Sequence, residues 1–336
     1  MKPRVGFAGL GWIGRHRMEA IAATGAVDIA ALQDPSVEAL EAARAVAPNA
    51  DCVGPFADLL ARNLDGVVIA SPSALHADQS LAALATGAAV FCQKPLGRSA
   101  AEARHVVDRA RATDRLLAVD LCYPHTAAFR AMREVLEAGG IGRLFAADLV
   151  FHNAYGPDKP WFHDLRQSGG GAMMDLGTHL VGLALDIFGG KPVSVSADLY
   201  AKGTRLEAPG LEDYATATLG FTTGATARLA CSWNLHAGRD AVIGIDLHGT
   251  GGGLALSNVA GSFYDFEARH HRGTASTVIA APPDEWGGRA AAAWARRLAE
   301  GEGFDPTAER LVTLSETLDR IYRAGFGDTT ALRATA

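Results

Sequence analysis

Three glycines at fixed spacing near the start of the chain, in the run Val5-Gly-Phe-Ala-Gly9-Leu-Gly11-Trp12-Ile13-Gly14-Arg-His16, restrict the fold more than any other stretch. Residues 4–8 read as a short buried strand, and Met18 and Ile21 continue on the apolar face of a helix, so the glycines fall at a strand–turn–helix junction. At such a junction Gly9 makes the turn, Gly11 lets backbone approach a pyrophosphate, and Gly14 lets helix and strand pack closely. The first N–H groups of the helix lack intrahelical partners and face the phosphate charge. Asp34 sits just after a second apolar run, 27–32, where a carboxylate accepts hydrogen bonds from an adenosine ribose. Alone, Asp34 is equally a turn residue before Pro35. Together with the loop it predicts a dinucleotide site spanning Gly9, Gly11, Trp12, Ile13, Gly14 and Asp34, and with no Arg beside it the carboxylate favours NAD over NADP.

Strand-like runs at 4–8, 27–32, 66–70, 88–92 and 116–121 alternate with helical patterns starting near Gly14, Val37, Ala74 and Ser99, where Ser99 and Glu102 form a capping box. This predicts an α/β, doubly wound parallel Rossmann sheet over 1–121. Ligands lie beyond the carboxyl ends of such strands, so Ser71, Pro72, Gln93 and Lys94 are expected in the cofactor crevice. His76, at the start of the next helix, is a cofactor candidate that by itself also reads as a cap or packing residue.

Beyond residue 121 the pattern changes to a helix over 129–139, a strand over 144–151, a polar aromatic loop through Trp161, and a helix from Gly169-Gly170-Gly171 to Phe188. Seven strand-like runs follow between 193 and 280, and two helices close the chain, the last opened by Asp305-Pro306 and carrying a stripe of Leu311, Leu314, Leu318 and Ile321. The expectation is an α+β substrate-binding and oligomerisation domain over 122–336 with a large open, mainly antiparallel sheet. An open sheet with an apolar outer face invites a second copy, so a homodimer or homotetramer is expected.

The formal charge of -6, with no dense Lys/Arg block, argues against nucleic acid or a membrane surface as partner and for a small molecule. No apolar run is expected to reach the ~20 residues of a membrane span, and glycines interrupt the only leader-like stretch. Cys52, Cys92, Cys122 and Cys231 are scattered, without CxxC pairs or suitably spaced histidines, which reads as reduced thiols, no metal site and a cytoplasmic protein. His270 and His271 read as solvent-facing residues at a strand end.

Two positions carry the sharper chemistry. Lys94, at a strand terminus by the cofactor, can stabilise an alkoxide as it forms. Asp175 and His179 lie four residues apart on an apolar helix, one above the other on a single face, and burying them is unfavourable unless something uses them. Gly177 and the three earlier glycines are expected to leave room for a ligand, and Asp186, two turns on, reads as structural. Tyr123, His152, Asn153 and Trp161 are candidate substrate contacts. Tyr155, His163, Asp164, Trp233, Asn234 and His236 are weaker ones that loop polarity also explains, as it does Lys159 and Arg166.

With these residues in view, the chain resembles the Gfo/Idh/MocA family (glucose-fructose oxidoreductase, inositol dehydrogenase, rhizopine catabolism). The likeness rests on the Gly9–Gly14 loop with His16, on Pro72, His76 and Lys94-Pro95, on the 169–171 glycines, Asp175 and His179, and on Gly249-Thr250-Gly251. It implies NAD or NADP and hydride transfer with sugars, cyclitols or related polyols. It further implies Lys94 as the substrate and cofactor contact, His179 as acid/base, Asp175 as its companion on substrate hydroxyls, and a cis Lys94–Pro95 bond. Three positions depart from the pattern: Gln93 stands where the family usually has Glu, Gly182 where Asp is frequent, and 122–125 differs from the usual entry to the second domain. An NAD-using glycosidase of the same fold and a non-catalytic nucleotide or sugar sensor are the alternatives.

Overall fold

The computed structural model describes residues 1–326; the end of the expected second domain, 327–336, lies outside the described residues. The chain forms two compact units, Met1–Cys122 with Gly287–Val312, and Tyr123–Trp286 with the chain from Thr313 on.

The first unit alternates strand and helix: β1 (Arg4–Ala8), α1 (Trp12–Ala23), β2 (Asp28–Gln33), α2 (Val37–Arg44), β3 (Asp51–Val53), α3 (Phe56–Leu60), β4 (Gly66–Ile69), α4 (His76–Ala85), β5 (Ala89–Cys92), α5 (Ala100–Ala112) and β6 (Leu117–Val119). The strands pair in parallel in the order β3-β2-β1-β4-β5-β6, so the strand order reverses between β1 and β4. Strands β4 and β5 are buried at every residue, which is why they read as unbroken apolar runs. Strand β3 and helix α3 escape a periodicity reading because neither is long enough to show one. Ser36 and Ser99 cap α2 and α5, each accepting from the N–H three residues on.

The second unit contains α6 (Ala127–Glu137), β7 (Leu144–Asn153), α7 (Leu165–Ser168), a π-helical turn (Met173–Gly177) that runs into α8 (Thr178–Phe188), then β8 (Ser194–Ala201), β9 (Thr204–Arg205), β10 (Tyr214–Gly220), β11 (Thr226–Ser232), β12 (Ala241–Gly249), β13 (Gly253–Asn258), β14 (Phe266–Arg272) and β15 (Ala275–Ala280). These make one nine-stranded sheet, β15-β14-β13-β12-β7-β11-β10-β8-β9, antiparallel throughout except where β7 and β11 run parallel. Strand alternation divides its faces. Ala147, Leu149 and Phe151 of β7 are buried with Ile243, Ile245 and Leu247 of β12. Asp148 faces the other way, where Arg228 Nε and His248 Nε2 reach it at 2.5 and 3.2 Å. His270, expected in solvent, shares the inner face with Phe266 and Ala268, and its Nε2 is buried.

Two helices close the described chain, α9 (Arg289–Ala299) and α10 (Glu309–Phe326). The expected boundary at 121/122 needs one correction: 287–312 belongs with the first unit. The reason is packing. Helix α9 buries Ala290, Ala291, Trp294 and Ala295; Trp294 meets Phe91 of β5 with ring centroids 5.8 Å apart, and a Cβ on Gly66 of β4 would come within 2.8 Å of its ring. In α10 the Leu314, Leu318 and Ile321 stripe is buried.

The segment Leu165–Phe188 is, by length and composition, apolar enough to cross a membrane, which corrects the expectation that no such stretch exists. Its apolar window is 72% buried inside the protein, as in a core helix.

Trp294→Ala should destabilise the protein by about 3–5 kcal/mol in urea titration, because an almost fully enclosed indole is lost from the first unit's core. Were 287–312 a loosely attached tail, the loss would stay within about 0.5 kcal/mol.

Candidate functional site

In the first unit the polar residues gather at the carboxyl ends of the parallel strands. Gly9 has φ +86°, and a Cβ there would meet the Ala70 backbone at the end of β4. A Cβ on Gly14 would overlap the Gly9 carbonyl oxygen, whereas nothing lies within 4 Å of where one on Gly11 would stand. Two glycines thus close the turn and the third leaves open space at the N-cap of α1, a cradle into which a pyrophosphate fits. Trp12, 57% exposed, stacks on His16 at 5.6 Å, and Ile13 is half-buried. Asp34 does more than its sequence position suggests. Its Oδ2 accepts from Leu10 N at 2.6 Å and its Oδ1 from Ser36 N at 2.8 Å, so it shapes the glycine loop while each oxygen keeps acceptor capacity for a ribose hydroxyl.

On the other side of the β1/β4 reversal, Ser71 Oγ donates to Gln79 Oε1 at 2.6 Å, and Pro72 leads into the turn before α4. His76 is 1% exposed, with Nε2 2.7 Å from the Ser71 carbonyl oxygen and Nδ1 2.7 Å from that of Pro95. Both ring nitrogens therefore meet backbone, which makes His76 a brace between turns and corrects its reading as a cofactor contact. Burial, with the Lys94 ammonium adding to it, holds its pKa below the ordinary histidine value. The Lys94–Pro95 bond is cis.

Gln93 is also turned away from a cofactor role. Its Nε2 donates at 2.7 Å to Asp120 Oδ2, which accepts from Arg17 Nε at 2.6 Å as well. Asp120 and Arg17 are both almost wholly enclosed. Arg17 in turn donates to His16 Nδ1, and burial followed by this cation lowers the His16 pKa. Burial pushes the Cys92 and Cys122 thiols up to about 12, so neither is a thiolate at neutral pH. The sequence reading missed Asp120, although it directly follows β6 just as Asp34 follows β2.

In the second unit Asp175 lies in the π-helical turn and His179 at the start of α8. Asp175 thus lies in a wider turn than the 3.6-residue helix that the spacing assumed. Asp175 Oδ2 accepts from Trp233 Nε1 at 3.1 Å. His179 is 9% exposed and sits edge-on to Tyr123, with ring centroids 4.9 Å apart, beside Phe151 at 6.3 Å. Tyr123 also packs on Trp286 and Phe266. The aromatic loop connects to Asp175 through Trp233. Phe162 meets that indole edge-on at 6.3 Å, and Trp161 stacks on Phe162 at 3.7 Å. Asn153 ends β7 on the Phe151 face, its Oδ1 buried and without a partner among the described residues. His152 is corrected as a substrate contact: alternation turns it to the opposite face of the sheet, where it stacks on Tyr214 and lies 2.8 Å from Ser232 Oγ.

The glycine run has a different purpose from the one expected. A Cβ on Gly171 would overlap the Glu212 carbonyl oxygen, one on Gly170 the Tyr322 hydroxyl, and one on Gly177 the Met173 sulfur. Protein fills the space expected for a ligand. Glu212 is fully enclosed; its carboxylate accepts from Met173 N at 2.9 Å, Gly171 N at 3.1 Å and Tyr322 Oη at 2.8 Å, while Tyr322 Oη accepts from Met174 N at 3.0 Å. Burial pushes the Glu212 pKa up and these donors act against that shift. The knot fixes the entry to the turn that carries Asp175. No sequence spacing signals it, because Glu212 lies 41 residues from Gly171. No group of three or more metal-ligating side chains converges among the described residues.

Residues 3–121 match the family described as "Oxidoreductase family, NAD-binding Rossmann fold", and 129–255 match "GFO/IDH/MocA C-terminal domain". The chain is 31% identical over 199 residues to 1,5-anhydro-D-fructose reductase of Ensifer adhaerens, covering 59% of this chain and 58% of that protein. It is 35% identical over 163 residues to inositol 2-dehydrogenase of Acidiphilium cryptum (strain JF-5), covering 47% and 48%. The chain thus spans about half the length of the curated relatives it matches. KijD10, a 3-ketoreductase from Actinomadura kijaniata solved with NADP and TDP-benzene, shares the fold at TM-score 0.84 and 20% identity, with 97% of this chain and 98% of that one covered.

Gly11→Ala should leave Tm within about 2 °C of the parent but weaken NADH binding at least about tenfold in a fluorescence titration, because only the bound pyrophosphate competes for that space. Gly14→Ala should instead lower Tm, since its Cβ collides with backbone. Equal NADH affinity in Gly11→Ala and parent would refute the cradle.

Proposed function

We propose, from the premise that the chain belongs to the Gfo/Idh/MocA family of oxidoreductases, that it moves a hydride between a nicotinamide cofactor and a hydroxyl-bearing carbon of a sugar, cyclitol or related polyol. The observation that carries the reading is the meeting of the open Gly11 cradle, Asp34 and Lys94 along one edge of the parallel sheet. When bound there, the nicotinamide serves as hydride acceptor or donor. In the oxidation direction His179 takes the substrate hydroxyl proton as general base, and the Lys94 ammonium stabilises the negative charge that develops on oxygen. Asp175, held by the Trp233 indole, accepts hydrogen bonds from a second hydroxyl. The half-buried faces of Trp161 and Phe162 suit the C–H face of a sugar ring. Lys159 and Arg166 pair with Asp158 and Asp164, so these loop cations are already compensated and the loop favours an uncharged substrate.

A panel of sugars, cyclitols and sugar acids assayed for NADH absorbance should yield turnover on at least one neutral polyol. Lys94→Met and His179→Asn should each lower kcat at least about 100-fold while NADH still binds. In the parent, kcat/KM for oxidation should rise with pH through the imidazole titration and then level off, because only neutral His179 can accept a proton. Full activity in His179→Asn with an unchanged pH profile refutes the mechanism. Cleavage of a glycoside without net NADH identifies the glycosidase instead.

NAD is the preferred cofactor in this reading, because a 2′-phosphate would meet the Asp34 carboxylate. The kcat/KM ratio of NAD to NADP should exceed one and fall in Asp34→Ser. Since Asp34 also holds Leu10 N, that variant should lose affinity for both cofactors, and the ratio is the decisive measurement. A ratio at or below one in the parent contradicts the assignment.

A further inference from the structure

The Lys94 turn is braced on both sides by contacts that leave it for neighbouring strands. On one side the Gln93 amide reaches Asp120, beyond the end of β6. On the other, the Pro95 carbonyl meets His76 Nδ1, whose ring continues through Nε2 to the Ser71 carbonyl, each at 2.7 Å. Ser71 and Pro95 follow β4 and β5, which are adjacent parallel strands with Ile69 paired to Cys92. The imidazole is therefore a crossbar between two consecutive strand-end turns, 1% exposed and in contact with backbone at both of its polar atoms. An apolar side chain would fill the same space without the desolvation that a buried imidazole incurs. The imidazole spans one turn and the other.

We propose that His76 is a positioning residue that acts through Lys94: by holding the Pro95 carbonyl against the Ser71 turn, it sets the direction in which the Lys94 side chain leaves the backbone. The proposal rests on the reading of Lys94 as the group that stabilises the substrate oxyanion. A shift of about 1 Å in such a group is enough to lower turnover about 100-fold, so a buried crossbar one residue away controls rate without touching substrate. Cofactor affinity, set mainly by the glycine cradle and Asp34, is largely independent of it.

The test combines His76→Leu, which removes both contacts, with His76→Asn and His76→Gln, whose amide nitrogens stand near the positions of Nδ1 and Nε2 and so keep a donor toward one carbonyl each. His76→Leu should lower kcat about tenfold to 100-fold with little change in NADH Kd, and the Asn and Gln variants should fall between it and the parent. In a Lys94→Met background the same substitutions should lower kcat no further, because residues acting as a unit are non-additive. Independently of activity, the acylation rate of Lys94, followed by peptide mass spectrometry, should change at least about threefold in His76→Leu while that of Lys2 stays constant. If His76→Leu does not fold, the Asn and Gln variants carry every arm. An equal kcat loss with and without Lys94, or an unchanged Lys94 acylation rate, overturns the proposal. A Lys94→Met variant with parental kcat instead removes the oxyanion reading, and the acylation rate then still decides whether His76 orients that side chain.

Discussion

The parallel pairing of β1 with β4 is the constraint on which the nucleotide-binding unit depends. It places the carboxyl ends of all six strands on one edge, so residues distant in sequence (Gly9, Asp34, Ser71, Lys94, Asp120) meet there without any one segment encoding the meeting. It also brings the Ala70 backbone so close to the glycine loop that position 9 cannot carry a side chain. The strand-order reversal opens the sheet edge at this pair, and the open position at Gly11 lies over it. Cradle and reversal are two consequences of one register.

Two buried carboxylates show how differently the two units meet the desolvation penalty. Asp120 has a counter-ion, Arg17, and an amide donor, Gln93. This pairing also explains why Gln stands where the family usually has Glu. A carboxylate at 93 would confront Asp120 at hydrogen-bonding distance, and with Arg17 supplying one positive charge the two acids would have to share a proton. The amide supplies a donor at the same place with no second charge. Among the described residues, two backbone N–H groups and the Tyr322 hydroxyl hold the Glu212 carboxylate. Gly170 and Gly171 are required there because a Cβ on either would displace the groups that make those bonds.

Much of the fold was legible in the sequence because it rests on local chemistry. The glycine spacing, the Ser99 cap, the unbroken apolar runs of β4 and β5 and the alternation in β7 and β12 each express a rule that acts over fewer than ten residues. Trp294 was not assignable in this way. An alanine-rich helix with one indole is amphipathic wherever it docks; the gap left by Gly66, the ring of Phe91 and the face of α1 receive α9 in the first unit. Alternation along β7 could also have removed His152 from the substrate candidates, since Phe151 and His152 cannot share a face.

The candidate catalytic pair was found by an argument whose geometry the structure then altered. Spacing by four on an ideal helix puts Asp175 above His179, but the Glu212–Tyr322 knot grips the N–H groups of Gly171, Met173 and Met174, and the chain between that grip and α8 winds as a π turn. Asp175 is then oriented by Trp233, while His179 settles among aromatic rings. The structure gives Asp175 a hydrogen bond from an indole and His179 a packed ring edge. Under the proposed mechanism these surroundings suit a carboxylate that holds a hydroxyl in one place and an imidazole that exchanges a proton. Sequence spacing singles out the two positions; the turn that carries the first of them is gripped by a glutamate and a tyrosine that sequence spacing does not connect to either.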